Sequence, residues 1–279
     1  MRILKQLLDF YINASIHVAL AVYALSWITL IEFGIAYDES VLYFNFFATI
    51  SGYNFIKYFG LAKFHHRSLA NWLKVIQVFS FFCFLLLCYY TFHLEFITWL
   101  YILSMGLITF FYAIPFLPRN VFVDKNQNLR QISGLKIYVI AFVWSVVTVI
   151  LPTVNNEYTL HMDVFVTFFQ RFVFILVLMI PFEIRDLRYD SIKLSTIPQR
   201  IGIRKTKLIG IGLLVLFFLS EFMKDHTSQV HLFVLGMVMV ITLLFVILSK
   251  EDQNKYYSAL WVEGIPVFWL LLILFYGLS

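Results

Sequence analysis

The sequence predicts an all-α, polytopic membrane protein, and three observations lead there. First, 61% of the 279 residues are apolar and 13% are charged, whereas a water-soluble domain carries about 25% charged residues. A chain this poor in charge cannot cover its surface with groups that water hydrates, so lipid must solvate it. Second, apolar runs fill the chain almost end to end without period-two alternation. Inside hydrocarbon only helices and closed barrels satisfy the backbone, and runs of this kind argue for helix. Third, the basic residues segregate to alternate connections, as a cytoplasmic face requires.

A membrane-spanning helix needs about 20 apolar residues, and nine runs qualify. They lie near 10–33, 41–63, 71–92, 96–115, 135–152, 163–184, 206–223, 229–249 and 258–278. Arg2 and Lys5 before an apolar stretch resemble a signal peptide, and Ala19-Leu20-Ala21 resembles a cleavage site. Asp9, Asn13 and His17 interrupt that pattern, however, and the apolar run continues to Ile31, so a retained first span is expected. Asp38 and Glu39 separate the first two runs. Pro115 and Pro118 end the fourth run and Pro152 ends the fifth, because proline lacks an amide donor and clashes with the preceding turn. Pro181 falls inside the sixth, where a kink is expected. No soluble domain, linker or low-complexity stretch is visible, so residues 1–279 read as one transmembrane domain.

Nine spans with a cytoplasmic N-terminus place every one of the 21 basic residues except Arg171 and Lys224 on the cytoplasmic side. A miscounted span would scramble that pattern, so it supports both count and orientation. The net charge of +5 then reflects topology and gives no reason to expect nucleic acid. Many of the 32 Phe, 16 Tyr and 6 Trp should form interfacial belts. Cys83 and Cys88 lie five apart on a helix and diverge, so they read as packing residues. Arg171 lies in mid-span, where a charge must face the bundle interior and find a partner. Glu221, at a similar depth on the next span, is the expected one.

The chemistry-bearing stretch runs from Phe182 to Asp190 and continues through Thr196-Ile197-Pro198-Gln199-Arg200-Ile201-Gly202. Glu183, Asp186 and Asp190 are spaced three and four apart, which on a helix sets the three carboxylates on one face. Such a face suits magnesium, a hard cation that takes carboxylate oxygens and leaves positions open for phosphate. Arg185, Arg188 and Lys193 alternate with the acids, and guanidinium groups suit diphosphate. The same residues also read as a solvated helix end neutralised by local ion pairs.

The spacing Glu183-x-x-Asp186-x-x-x-Asp190, followed by Thr196-Ile197-Pro198-x-Arg200-Ile201-Gly202, resembles the second aspartate-rich motif of the UbiA family of intramembrane aromatic prenyltransferases. The span count and the place of the motif after span six fit that family, and Tyr112 with Pro115 resembles its tyrosine-proline stretch. The resemblance implies a nine-helix UbiA-like bundle. It also implies Mg2+ held by Glu183, Asp186 and Asp190 at the cytoplasmic mouth of a helical cavity, with Asp186 and Asp190 catalytic. Asn54, Lys57, Arg185 and Lys193 would contact a prenyl diphosphate, whose prenyl group passes to a lipophilic aromatic acceptor.

The first motif of that family departs here. Asn54 stands for its asparagine, but Phe55, Tyr58 and Ala62 occupy its aspartate positions, and no Asp or Glu occurs between Glu39 and Glu95. That segment offers Lys57, Lys63, His65, His66 and Arg67 instead. Two readings follow. Cationic side chains contact the diphosphate in place of one metal ion, or the chain is a non-catalytic relative that binds a prenyl lipid or a membrane partner. A small transporter with Arg171 as its site is the third class, although no paired Gly/Pro-interrupted helices of the transporter kind occur.

Overall fold

The computed structural model describes residues 2–64, 71–113, 135–188, 196–225 and 227–277. Every regular element among them is helical. Helix α1 (Arg2–Asn13) is amphipathic and exposes Ile3, Leu4 and Leu7. It meets α2 (Ile16–Glu32) at 56°. Then come α3 (Glu39–Phe64), α4 (Asn71–Thr91) and α5 (Phe96–Ala113). Helix α6 (Leu135–Ser145) continues through a π-helical turn, Val146–Ile150, into α7 (Leu151–Asn155). The second half holds α8 (Met162–Asp186), the short α9 (Ile197–Ile201), α10 (Ile203–Leu219) and α11 (Gln229–Leu248). A second π-helical turn, Tyr257–Val262, leads into α12 (Ile265–Phe275).

Among the described residues, six helical stretches are long and apolar enough to cross a membrane, and a seventh if the bent α1–α2 pair is one span. The protein is an integral, multi-pass membrane protein. The expected spans that fall short of that criterion are α3 and α5. α3 carries Asn45, Asn54 and Lys57, which bond to neighbouring segments, and Thr49, which bonds back to the Asn45 carbonyl of α3 itself; these polar residues dilute its hydropathy. α5 is simply short.

The core centres on α2, α8 and α12. Leu25 and Ile28, Phe174, Phe217 and Trp269 are buried together. Phe174 stacks on Phe217 at 5.3 Å, and Trp269 stands edge-on to both, geometries that aromatic quadrupoles favour. On the periphery, α4 exposes Phe81, Phe82, Phe84 and Leu85, an apolar face that lipid would cover.

Two sequence expectations are corrected. Pro152 does not end its helix, which continues to Asn155. The π-turn just before Pro152 absorbs the backbone irregularity that proline imposes. Arg171 does not pair with Glu221. It is fully buried, donates from Nη1 to the Leu25 carbonyl at 3.1 Å and from Nη2 to Thr29 Oγ1 at 3.3 Å, and lies over the Trp269 ring at 5.2 Å. The residue beside it, Gln170, bonds Glu221 at 2.8 Å instead. Adjacent helical residues diverge by about 100°, so only one of the two can face α10. Glu221 belongs with Glu32, Lys224 and His231 to a network at the far end of the bundle, with Lys224 2.9 Å from Glu221 and 3.7 Å from Glu32.

Candidate functional site

The opposite end of the bundle holds a cavity of about 550 Å3. Its inner walls are apolar, with Val143 and Trp144 from α6 and Ile175, Leu178, Met179 and Phe182 from α8. Trp144 Nε1 donates to Tyr53 OH at 3.0 Å, joining α6 to α3 across the cavity wall. Charged groups gather toward the mouth: Asp9, Lys57, Lys136, Arg185, Asp186 and Lys255. Glu263 lines the cavity too.

The bend between α1 and α2 builds one side of the site. Ser15 has φ 62°, ψ 21°, a left-handed conformation that costs an L-residue roughly 1–2 kcal/mol. Its hydroxyl is held from both sides, donating to Asn54 Oδ1 at 2.7 Å and accepting from Lys57 Nζ at 2.8 Å. Asn54 also donates through Nδ2 to the Ala14 carbonyl at 3.0 Å and to Ser80 Oγ at 2.8 Å. Asn54 is therefore buried with three protein partners, and it braces the bend from which Lys57 projects. Tyr58, at an expected aspartate position, donates to the Asn13 carbonyl, and Phe55 is exposed.

His17 locks the same bend to the last helix. Its Nε2 bonds the Leu260 carbonyl at 2.8 Å, which assigns the ring proton to Nε2, so Nδ1 accepts from Tyr11 OH at 2.8 Å. Leu260 belongs to the second π-turn, just before Glu263. Lys255 and Tyr256 precede that turn, and both bond Asp9 Oδ1, at 2.6 and 2.7 Å. The Asp9 contact holds the Lys255 ammonium above its ordinary pKa range.

The second side of the site is the end of α8. Glu183 and Asp186 lie three apart and share a face. Lys136, in the first turn of α6, stands between them, with Nζ 3.4 Å from Glu183 Oε1 and 3.6 Å from Asp186 Oδ2. Arg185 engages the other Asp186 oxygen, from Nε at 2.9 Å and from Nη2 at 2.7 Å. Its guanidinium also lies 5.3 Å from the centre of the Phe182 ring. α8 ends at Asp186, so the one-face arrangement covers Glu183 and Asp186. Asp190 and Lys193 lie outside the described residues, as do His65, His66, Arg67 and Pro115.

The structure thus brings Lys57, Arg185 and Asp186 to one cavity, with Glu183 buried just behind. It adds Lys136, Lys255, Asp9 and Glu263, which sequence reasoning left without a site role. In the sequence Lys136 marks the cytoplasmic side, and its visible signal is that of a lone cation opening an apolar run. A divalent ion between Glu183 and Asp186 would need about 2.0–2.1 Å to their oxygens. The Lys136 ammonium holds that bridging place, so this pair does not fit such an ion as it stands. Among the described residues, no three His, Cys, Asp or Glu side chains converge to hold a metal.

No family model matches the chain, and no curated protein sequence does. A solved structure of digeranylgeranylglyceryl phosphate synthase, described as acting in membranes, is similar over 97% of this chain and 96% of its own, with a TM-score of 0.57 at 15% identity. That likeness shows a common fold.

Proposed function

We propose that the protein is a UbiA-type membrane prenyltransferase of nine spans, α3 and α5 included, with the cavity mouth on the cytoplasmic side. The observation that carries this reading is the cavity itself: an apolar chamber inside a membrane bundle whose entrance is set with Lys57, Lys136, Arg185 and Lys255. A polyprenyl diphosphate has the same two-part chemistry. Its chain fits among Ile175, Leu178 and Met179, where burial contributes about 0.8 kcal/mol per CH2. Its head meets the ammonium and guanidinium groups, which stabilise charge on the leaving diphosphate. The fold shared with a digeranylgeranylglyceryl phosphate synthase is consistent with prenyl chemistry.

In the proposed reaction the C1–O bond of the prenyl diphosphate breaks, and its electron pair leaves with the diphosphate. The allylic cation is sheltered by the faces of Phe182, Trp144 and Tyr53. A carbon of a lipophilic aromatic acceptor captures it, and the ring proton goes to Glu263, a carboxylate lining the chamber.

The test is a thermal-shift titration of the detergent-solubilised protein with a long prenyl diphosphate, followed by assay of diphosphate release with lipophilic aromatic acceptors. A ligand that binds the folded state raises the melting temperature by mass action. Stabilisation that Arg185→Leu abolishes, together with diphosphate release, supports the transferase. Absence of stabilisation at any concentration refutes it. The lack of any carboxylate between Glu39 and Glu95 favours a second reading, a prenyl-lipid binder without transfer. Its mark is stabilisation without diphosphate release from any acceptor mixture.

A further inference from the structure

Lys136 faces two carboxylates of α8 at once. Glu183 is buried at 3% exposure, and a buried carboxylate demands a close counter-charge. Lys136 supplies it at 3.4 Å and reaches Asp186 from the same atom at 3.6 Å. Both Asp186 oxygens are consequently engaged by cations, Oδ2 by Lys136 and Oδ1 by Arg185. The Lys136 side chain keeps 28% exposure and lines the cavity. An ammonium has three N–H donors. At 3.4 and 3.6 Å the two carboxylate contacts are ion pairs rather than short hydrogen bonds, so the ammonium can turn an N–H toward the chamber it lines.

We propose that Lys136 is the resident cation of this site: ion-paired to both Glu183 and Asp186, it stands where a carboxylate-bound divalent ion would, and it offers an N–H to the phosphate oxygens of a lipid diphosphate. The ligand class rests on the reading above, whereas the displacement of the metal ion does not. The arrangement accounts for a site built without first-motif aspartates. Paired carboxylates elsewhere in the mouth would be needed only if the head group arrived wrapped in divalent ions, and here fixed charges receive it. Lys136 holds the α8 carboxylates apart from the phosphate, so the head group meets cations first. The arrangement ties α6 to α8 at the mouth.

The deciding experiment uses Mn2+ alone, titrated into the full-length protein in detergent and followed by the electron paramagnetic resonance of the free ion. Wild type and Lys136→Arg are expected to hold no stoichiometric Mn2+. Lys136→Met is expected to gain one site, at least about ten-fold tighter, which Glu183→Gln/Asp186→Asn in the same background removes. A stoichiometric Mn2+ site in wild type that Glu183→Gln/Asp186→Asn removes would overturn the proposal. A second measurement needs wild type alone, should Lys136→Met fail to fold. Stabilisation by a long prenyl diphosphate should be equal in EDTA and in magnesium, and a strict magnesium requirement also overturns the proposal. If prenyl diphosphate does not stabilise the protein in either buffer, the transferase reading falls while the Mn2+ titration still decides the role of Lys136.

Discussion

Replacing Asn54 with leucine separates a brace from a ligand contact. Leucine has nearly the same volume, so little cavity is made and the effect reports the lost polar contacts. Asn54 makes three hydrogen bonds, to Ser15 Oγ, the Ala14 carbonyl and Ser80 Oγ. Each contributes about 0.5–1.5 kcal/mol net, which predicts a loss of roughly 2–4 kcal/mol. For a chain of this size about 1 kcal/mol moves the melting temperature by roughly 2–4 °C. The expected fall is therefore roughly 4–16 °C, measured without ligand by tryptophan fluorescence at one fixed scan rate, because unfolding in detergent is often irreversible. A residue that serves only to touch substrate would leave the ligand-free protein unchanged. A melting temperature within about 1 °C of wild type would refute the brace and return Asn54 to the substrate.

Three further predictions follow from the packing. Ser15→Gly should be less destabilising than Ser15→Ala by about 1 kcal/mol. Both remove the hydroxyl, but only alanine retains the left-handed penalty at φ 62°, and a reversed order in the melting temperatures would contradict the strain. Arg171→Met should destabilise by about 2–3 kcal/mol, since it removes two charge-assisted hydrogen bonds and the contact with the Trp269 ring. Loss of ligand binding at full thermal stability would instead make Arg171 part of a site. Gly210→Leu should lower stability by about 3 kcal/mol. Even a Cβ there would stand 2.7 Å from Ile180 Cδ1 and 3.3 Å from Val246 Cγ1, and an unchanged melting curve would mean α10 does not pack that closely against α8 and α11.

Hydropathy carries most of the fold in this chain because lipid demands long apolar runs, and α4, α8 and α11 fall close to where the runs place them. It weakens at α3, where polar side chains face neighbouring helices. Depth along a span can be read from sequence, but the direction a residue faces cannot. That is how Glu221 came to be matched with Arg171 when Gln170, one position earlier, is the residue that turns toward it. The contact of Asp9 with Lys255, 246 positions apart, leaves no local trace at all. Lys57, Arg185 and Asp186 were legible because a charge at the end of an apolar run stands out. Lys136 stands out equally, but the positive-inside pattern accounts for it fully, so nothing in the sequence points to its place in the cavity.

The two π-turns, Val146–Ile150 and Tyr257–Val262, act as phase slips in otherwise regular helices. Each inserts the equivalent of one residue, so side chains before and after it follow different angular clocks. In the first, the Val147 carbonyl is taken by Asn45 of α3 at 2.9 Å, and in the second the Leu260 carbonyl is taken by His17. Excision of a single residue from the second turn would restore ordinary winding, and because the wide turn already absorbs that residue, Glu263 and α12 would keep their direction relative to Lys255 and Tyr256. Hydropathy and length would scarcely change, yet the backbone around the Leu260 carbonyl that His17 holds would be rewound. The same excision in a regular stretch of helix, with no wide turn to absorb it, would swing everything beyond it by about 100°, so the aim of these side chains is set by residue count rather than residue type.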